Sequence, residues 1–164
     1  MTTQHTSNDD GREQVADIIK KTRIAMLTYH DREGRLVSCP MATQDVEFDG
    51  RVLFLSERDS DKVADISADP QVNVAYVGDS EWVSLSGRAH VENDVEKIRE
   101  LWSAVAEGYM EGGPEDPNNV LIVVDGDTAE YWNSPGGKIG QMVNLVRTAV
   151  TKKPAGGENE VVDL

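Results

Sequence analysis

The sequence predicts a mainly β protein, an antiparallel barrel with peripheral helices. Short runs of alternating or β-branched apolar residues recur along the chain, most of them joined by compact turn signals. These runs, about seven of them, do not alternate regularly with helical patterns, as a doubly wound parallel sheet would require. A chain of 164 residues with 38% hydrophobic content is long and apolar enough for one buried core.

The elements follow in order. Residues 1–10 read as a frayed arm. "GREQVADIIKKT" (11–22) places Val15, Ile18, Ile19 and Thr22 on one face at helical spacing. "IAMLTYH" (24–30) reads as a strand, and "DREG" (31–34) as a turn in which Gly34 can take positive φ. "RLVSCPMAT" (35–43) is the returning strand. Pro40 inside it lacks a ladder donor, which implies an edge, a bulge or an opening. "DVEF" (45–48), "DG" and "RVLFLSE" (51–57) carry the clearest hairpin signal, with a type I′ turn at Asp49-Gly50.

A short helix is expected over about 60–68, stopped before Pro70. "QVNVAYV" (71–77), "GDSE" and "WVSLSGRAHVE" (82–92) form a second hairpin. "NDVE" (93–96) has capping-box spacing, with Asn93 as cap and Glu96 reaching back. That helix runs to about Ala106, with Ile98, Leu101, Trp102 and Val105 inward. "EGGPEDPNN" (111–119) is loop composition. "VLIVVDGDTAEYWN" (120–133) reads as a third hairpin-like pair. "SPGG" (134–137) leads into a last helix striped by Ile139, Met142, Val143, Val146 and Val150, and 151–164 reads as a mobile tail. The domain thus spans 11–150.

Charge and composition exclude several roles. Sixteen basic residues face thirty acidic ones, a formal net charge of −14. Such a surface repels nucleic acid and anionic membrane. A single cysteine, Cys39, rules out an internal disulfide or a multi-thiolate zinc site. His5, His30 and His90 share no ligand spacing, so no metal is expected. The N-terminus has no apolar core of the signal-peptide kind, and no run approaches the ~20 apolar residues of a membrane helix. The expected setting is cytoplasmic.

Catalytic motifs are absent: there is no GxSxG, P-loop or Rossmann fingerprint. "PGGKIG" (135–140) reads as a turn leading into a helix. Cys39 has no neighbouring histidine to activate it. The stretch "RDSDKVADI" (58–66) offers more. Ser60 capping a helix, the free N–H groups of the first turn and the Lys62 ammonium would together make a small anion site. From Gln44 to Asp69, however, eight acids oppose three bases. By spacing alone a plain capped helix is the simpler reading. Core packing likewise accounts for Trp82, Trp102 and Trp132, although Trp132 stands at a strand end where an indole could cover a planar ligand.

Taken in order, "LVSCPMAT", "FLSERDSDKVADISADPQVNVAYV", "WVSLSGRAHV", "IRELW" and "AEYWNSPGG" resemble the FMN-binding split-barrel superfamily, over roughly residues 14–147. The branch they resemble is the general stress protein / pyridoxamine 5′-phosphate oxidase-like one. The resemblance implies an antiparallel split barrel of Greek-key type, homodimeric, with flavin in two interface clefts. It implies FMN, or FAD or another flavin, as cofactor. Cys39, Pro40 and Met41 would line the flavin, Ser56 would offer a hydroxyl, and Ser60 and Lys62 would take the phosphate. Trp82, Ser84 and Trp132 would stand near the cofactor. On this reading the phosphate site displaces the plain cap.

Two departures stand out. Cys39 occupies the place where relatives carry an arginine that helps hold the phosphate. The C-terminal arginine–histidine pattern of pyridoxamine phosphate oxidases is missing; after Trp132 only Lys138, Arg147, Lys152 and Lys153 are basic. Vitamin B6 oxidation is therefore not expected. The resemblance implies redox chemistry on a small molecule and compels no catalytic residue. The alternatives are a flavin-free ligand-binding or interaction protein, or a barrel holding deazaflavin or haem.

Overall fold

The computed structural model describes residues 8–133 and 158–164. Its elements are α1 (Asn8–Thr22), β1 (Ile24–His30), β2 (Leu36–Ala42), β3 (Arg51–Glu57), α2 (Asp61–Ala68), β4 (Gln71–Val77), β5 (Glu81–Glu92), α3 (Val95–Leu101), α4 (Ala104–Tyr109), β6 (Asn119–Asn133) and β7 (Glu158–Asp163). One antiparallel sheet carries all seven strands in the order β2-β1-β4-β5-β6-β3, with β7 also on β6. The sheet curls but does not close. Between β2 and β3 there is only the bridge Thr43↔Phe54, supported by the Gln44 N–H donating to the Leu53 carbonyl at 3.0 Å. Pro40 therefore lies on an edge strand, where its missing donor costs no ladder bond.

Helix α1 begins earlier than its apolar pattern suggests. Asp9 and Asp10 in its first turn and Lys20 and Lys21 in its last complement the helix dipole. Val15, Ile18 and Ile19 are buried against the sheet. Gly11 lets the helix approach β7: a Cβ there would lie 2.5 Å from a Val162 methyl.

The inner face of the curled sheet gathers Leu27, Phe54, Tyr76, Leu85 and Ile122, all fully buried. A second cluster of Leu53, Ile98, Leu121 and Val123 joins the opposite face of β3 and β6 to α3. The first half of β6 is thus buried on both faces, which is why it reads as an unbroken apolar run.

The expected hairpin over 45–57 does not form. Residues 45–48 are irregular, and Gly50 takes φ 97° while Asp49 keeps a negative φ, so the two-residue type I′ geometry is absent. The Asp49 carboxylate instead accepts the Arg51 N–H at 3.1 Å. β3 takes its ladder from β6, in register from Arg51↔Asp125 to Glu57↔Asn119. The expected pair within 120–133 is likewise one continuous strand. The Asp125-Gly126 step is no turn: Gly126 approaches another backbone and donates to the Gly50 carbonyl at 2.9 Å. Opposite Ser86 and Gly87 of β5, the extra residue Asp127 makes a bulge in β6.

The helix expected over 93–106 is two helices. Asp94, not Asn93, caps α3 through the Lys97 N–H, and Ser103 caps α4 through the Ala106 N–H. The break at Trp102 turns Val105 outward, to 61% exposure, while Ile98 stays buried. Residues 158–163, assigned by sequence to the mobile tail, form β7 on β6, with Val162 buried. The proposed turn at 134–137 and the helix after it, with Lys138, Arg147, Lys152 and Lys153, lie outside the described residues. Among the described residues no helix is long and apolar enough to cross a membrane.

Tyr76 is fully buried and shares a 2.7 Å hydrogen bond with the Thr43 hydroxyl. Burial pushes its pKa up to about 12, the Thr43 bond opposing this in part. A phenol pKa raised in the folded state adds stability that is complete below the unfolded value near 10 and is lost as pH rises toward 12. Urea unfolding should show stability falling across that window, and Tyr76→Phe should flatten the fall.

Candidate functional site

The alternation of β2 sends Val37, Cys39 and Met41 toward the core and Leu36, Ser38, Pro40 and Ala42 outward. Just beyond β3 the chain enters α2. Ser60 sits in extended geometry, its hydroxyl accepting the Val63 N–H at 3.4 Å and donating to the Glu57 carbonyl at 2.7 Å. From this first turn Lys62 reaches across to β2, where its Nζ donates to the Met41 sulfur at 3.2 Å. A thioether is a weak acceptor. Lys62 forms no ion pair with a carboxylate among the described residues.

The acids around Lys62 are directed elsewhere. Arg32 holds Asp61 at 2.7 Å and Asp65 at 3.7 Å, and Asp59 accepts from the Asn118 side-chain amide at 3.1 Å. Asp59, Asp61 and Asp65, the carboxylates nearest Lys62 in sequence, are therefore engaged by other partners. Cys39, half-buried against the core, lies close enough to Lys62 to feel its charge. Burial pushes the thiol pKa up and Lys62 opposes the shift only in part, so Cys39 is a thiol at neutral pH.

A cavity of about 580 Å³ opens at this corner. Pro40, Met41 and Lys62 form one wall, and α4 and its end supply an apolar wall with Val105, Ala106 and Met110. Among the described residues Arg23 and Lys62 are the only charged ones that line it, and no described carboxylate does. A cavity with fixed cations and an apolar wall fits a ring system that carries a phosphate. Pro40, Met41 and Lys62 are thus brought together, with Cys39 and Ser60 adjacent.

The other predicted residues lie elsewhere in the chain. Ser56 is buried, opposite Val120 in the β3–β6 ladder. Trp82 and Trp132 face one another across β5 and β6. Ser84 is two residues on, and its hydroxyl accepts from the Asn73 amide at 2.8 Å. Trp82, Ser84 and Trp132 belong to the outer sheet face, Ser56 shares the inward face of β3 with Val52 and Phe54, and none of the four lines the cavity. Register places them in rows: Pro40, Met26, Ala75 and Ser84 run across one, and Ser38, Thr28, Asn73 and Ser86 across the next. Ile24, Met26, Leu36 and Val77 are large exposed apolar side chains on this same face.

Sequence reasoning missed Arg23 and the α4 residues. Val105 reads as core when 93–106 is taken as one helix, and no local motif marks Arg23. Among the described residues no group of His, Cys, Asp and Glu could hold a metal ion. His30 pairs with Asp69, and His90 with Glu92 and Asp125.

The family model described as "Pyridoxamine 5′-phosphate oxidase like" matches residues 10–155. Protein bli-3 of Neurospora crassa is 28% identical over 153 residues, covering 86% of this chain and 73% of that protein. The general stress protein 26 of Bacillus anthracis str. Sterne is 28% identical at a TM-score of 0.66, covering 73% of this chain and 92% of its own. The general stress FMN/FAD binding protein of Xanthomonas citri is 24% identical at a TM-score of 0.66, covering 76% of this chain and 89% of its own. A pyridoxamine 5′-phosphate oxidase-related, FMN binding protein of Nostoc punctiforme PCC 73102 is 14% identical at a TM-score of 0.63, covering 98% of this chain and all of its own.

Proposed function

Because this chain belongs to the pyridoxamine 5′-phosphate oxidase-like family, we propose that it is a cytoplasmic homodimer that binds FMN and uses it in redox chemistry on a small molecule. The observation that carries the reading is the Lys62 ammonium, set at a capped helix start in a cavity that no carboxylate of the described residues lines. Lys62 and the first-turn N–H groups of α2 would hold the phosphate. Met41, Pro40 and the apolar wall of α4 would flank the ring and keep water from it. When bound, the isoalloxazine supplies hydride exchange, and the chain's own residues bind and orient it. Relatives named as FMN/FAD-binding and FMN-binding support the flavin. The apolar outer face, with Trp82 and Trp132 paired on it, supports a second copy docking there.

One observation favours a second reading, a flavin-free barrel: Cys39, at the position where the resemblance implies an arginine, is packed against the core. Thermal unfolding separates the two. A ligand at about a hundred times its Kd adds ~2.7 kcal/mol, roughly 5–10 °C for a chain of this size. A shift with FMN or FAD that exceeds the riboflavin shift is expected. No shift with any flavin supports the flavin-free barrel. Light scattering should give a dimer at micromolar concentration; a monomer would remove the shared cleft and the cofactor roles of Trp82, Ser84 and Trp132.

A further inference from the structure

Two acids flank the Ser60 cap, and each is met by a residue from a distant part of the chain. Arg32 holds Asp61 at 2.7 Å. Asn118 holds Asp59, and there the contact is double. The Asn118 side-chain oxygen accepts the Asp59 N–H at 3.2 Å, and its amide nitrogen donates to the Asp59 carboxylate at 3.1 Å. A side-chain amide supplies the acceptor and the donor at once. The other bonds of this turn need no particular side chain at 118. The Arg58 N–H donates to the Asn118 backbone carbonyl at 2.7 Å, and the Arg58 guanidinium donates to the Pro117 carbonyl at 3.1 Å.

Asn118 stands on a fixed platform. It ends the loop between α4 and β6, and its own N–H donates to the Asp116 carboxylate at 2.8 Å. The neighbouring Asn119, 1% exposed, donates from its side chain to the Glu111 and Gly113 carbonyls at 2.8 and 2.7 Å. The loop is thereby tied to β6, and the Asn118 amide is directed at the turn that leads into α2. Both of its bonds to Asp59 are open to water. There they replace bonds to solvent and add little to the stability of the fold. Their effect falls on the turn itself, one residue before the hydroxyl that caps α2.

We infer that Asn118 is a positioning residue for the phosphate site at the start of α2. It fixes the backbone that enters the Ser60 cap. It also keeps the Asp59 carboxylate bonded to the loop, so that this anion does not compete with the phosphate for Lys62 and the first-turn N–H groups. A released carboxylate would be drawn to the same helix start, which attracts any anion. The inference rests on the flavin reading above, with the phosphate on Lys62 and α2.

Fluorescence titration of the full chain, freed of bound flavin, with FMN and with riboflavin tests this. Asn118→Ala should weaken FMN roughly three- to tenfold, the range for one net hydrogen bond, and riboflavin by less than about twofold. Asp59→Asn added to Asn118→Ala should restore part of the FMN affinity, because the freed side chain then carries no charge. Asn118→Asp keeps the acceptor but sets a second carboxylate beside Asp59, and it should weaken FMN at least as much as Asn118→Ala. Melting points guard against misfolding: each flavin-free variant should lie within about 2 °C of the wild type. Equal losses of FMN and riboflavin with a lower melting point would show a purely structural amide and overturn the inference. So would an Asn118→Ala loss that Asp59→Asn does not relieve. If the wild type prefers FMN and both Asn118 variants keep that preference, the role of Asn118 falls and the flavin reading stands. If the wild type binds FMN no tighter than riboflavin, the phosphate reading falls, and the role of Asn118 falls with it.

Discussion

Replacing Val162 with aspartate is expected to cost the fold about 4 kcal/mol or more. Val162 is 3% exposed and belongs to the main hydrophobic core. It touches α1 so closely that Gly11 has no room for a Cβ. A carboxylate there would be buried without a partner, and such a charge costs several kcal/mol. Native domains hold only about 5–15 kcal/mol in total. At this chain length the loss lowers the melting point by roughly 8–16 °C. Asp163→Asn is the control: Asp163 is exposed, and it is its backbone carbonyl that accepts from Arg12, at 3.2 Å. That variant should unfold within about 2 °C of the wild type. If Val162→Asp did the same, β7 would not be holding α1 on the sheet.

The second large effect is on binding. Lys62→Ala should weaken FMN by roughly ten- to a hundred-and-fiftyfold, the equivalent of about 1.5–3 kcal/mol for a hydrogen bond to a charged group. Riboflavin, which has no phosphate, should be weakened by less than about twofold. The fold should tolerate the change, because Lys62 is only partly buried and its one polar side-chain contact among the described residues is a thioether. Lys62→Arg should recover part of the FMN affinity, since it restores charge at nearly the same reach. Equal losses of FMN and riboflavin would show that Lys62 shapes the cavity wall and does not hold phosphate. A retained FMN preference would move the phosphate to another donor, with Arg23 the remaining cation of the cavity.

Much of this protein is legible in its sequence. β1 and β4 appear where their alternation places them, because a half-buried strand imposes its period of two on any sequence that forms it. The Ser60 cap is equally local: one hydroxyl, one N–H three residues on and a change of backbone conformation. Pro40 correctly marks an edge, since a missing donor is a property of the residue itself. The candidate phosphate site at Ser60 and Lys62 can be stated from one turn of helix.

Other features were decided only by the tertiary structure. Asp49-Gly50 and Asp125-Gly126 look alike in sequence, yet neither makes the expected tight hairpin. Gly126 lies against the Gly50 carbonyl, so the two glycines mark a crossing of distant backbones. β3 had two candidate partners, and the seven-residue match with β6, backed by α3, prevailed over the short local segment at 45–48. The acids flanking Lys62 looked prohibitive until Arg32, about thirty residues earlier, drew Asp61 and Asp65 away. Arg23 carries no local sign of a role, and only the packing of α1, the end of β2 and α4 makes it a lining residue of the cavity of Lys62. The physical division is one of range. Periodicity, caps and missing donors act within a few residues, so the sequence by itself determines them. The choice of strand partner and the charge around a site are sums over segments far apart in the chain, and those sums exist only once the segments have packed.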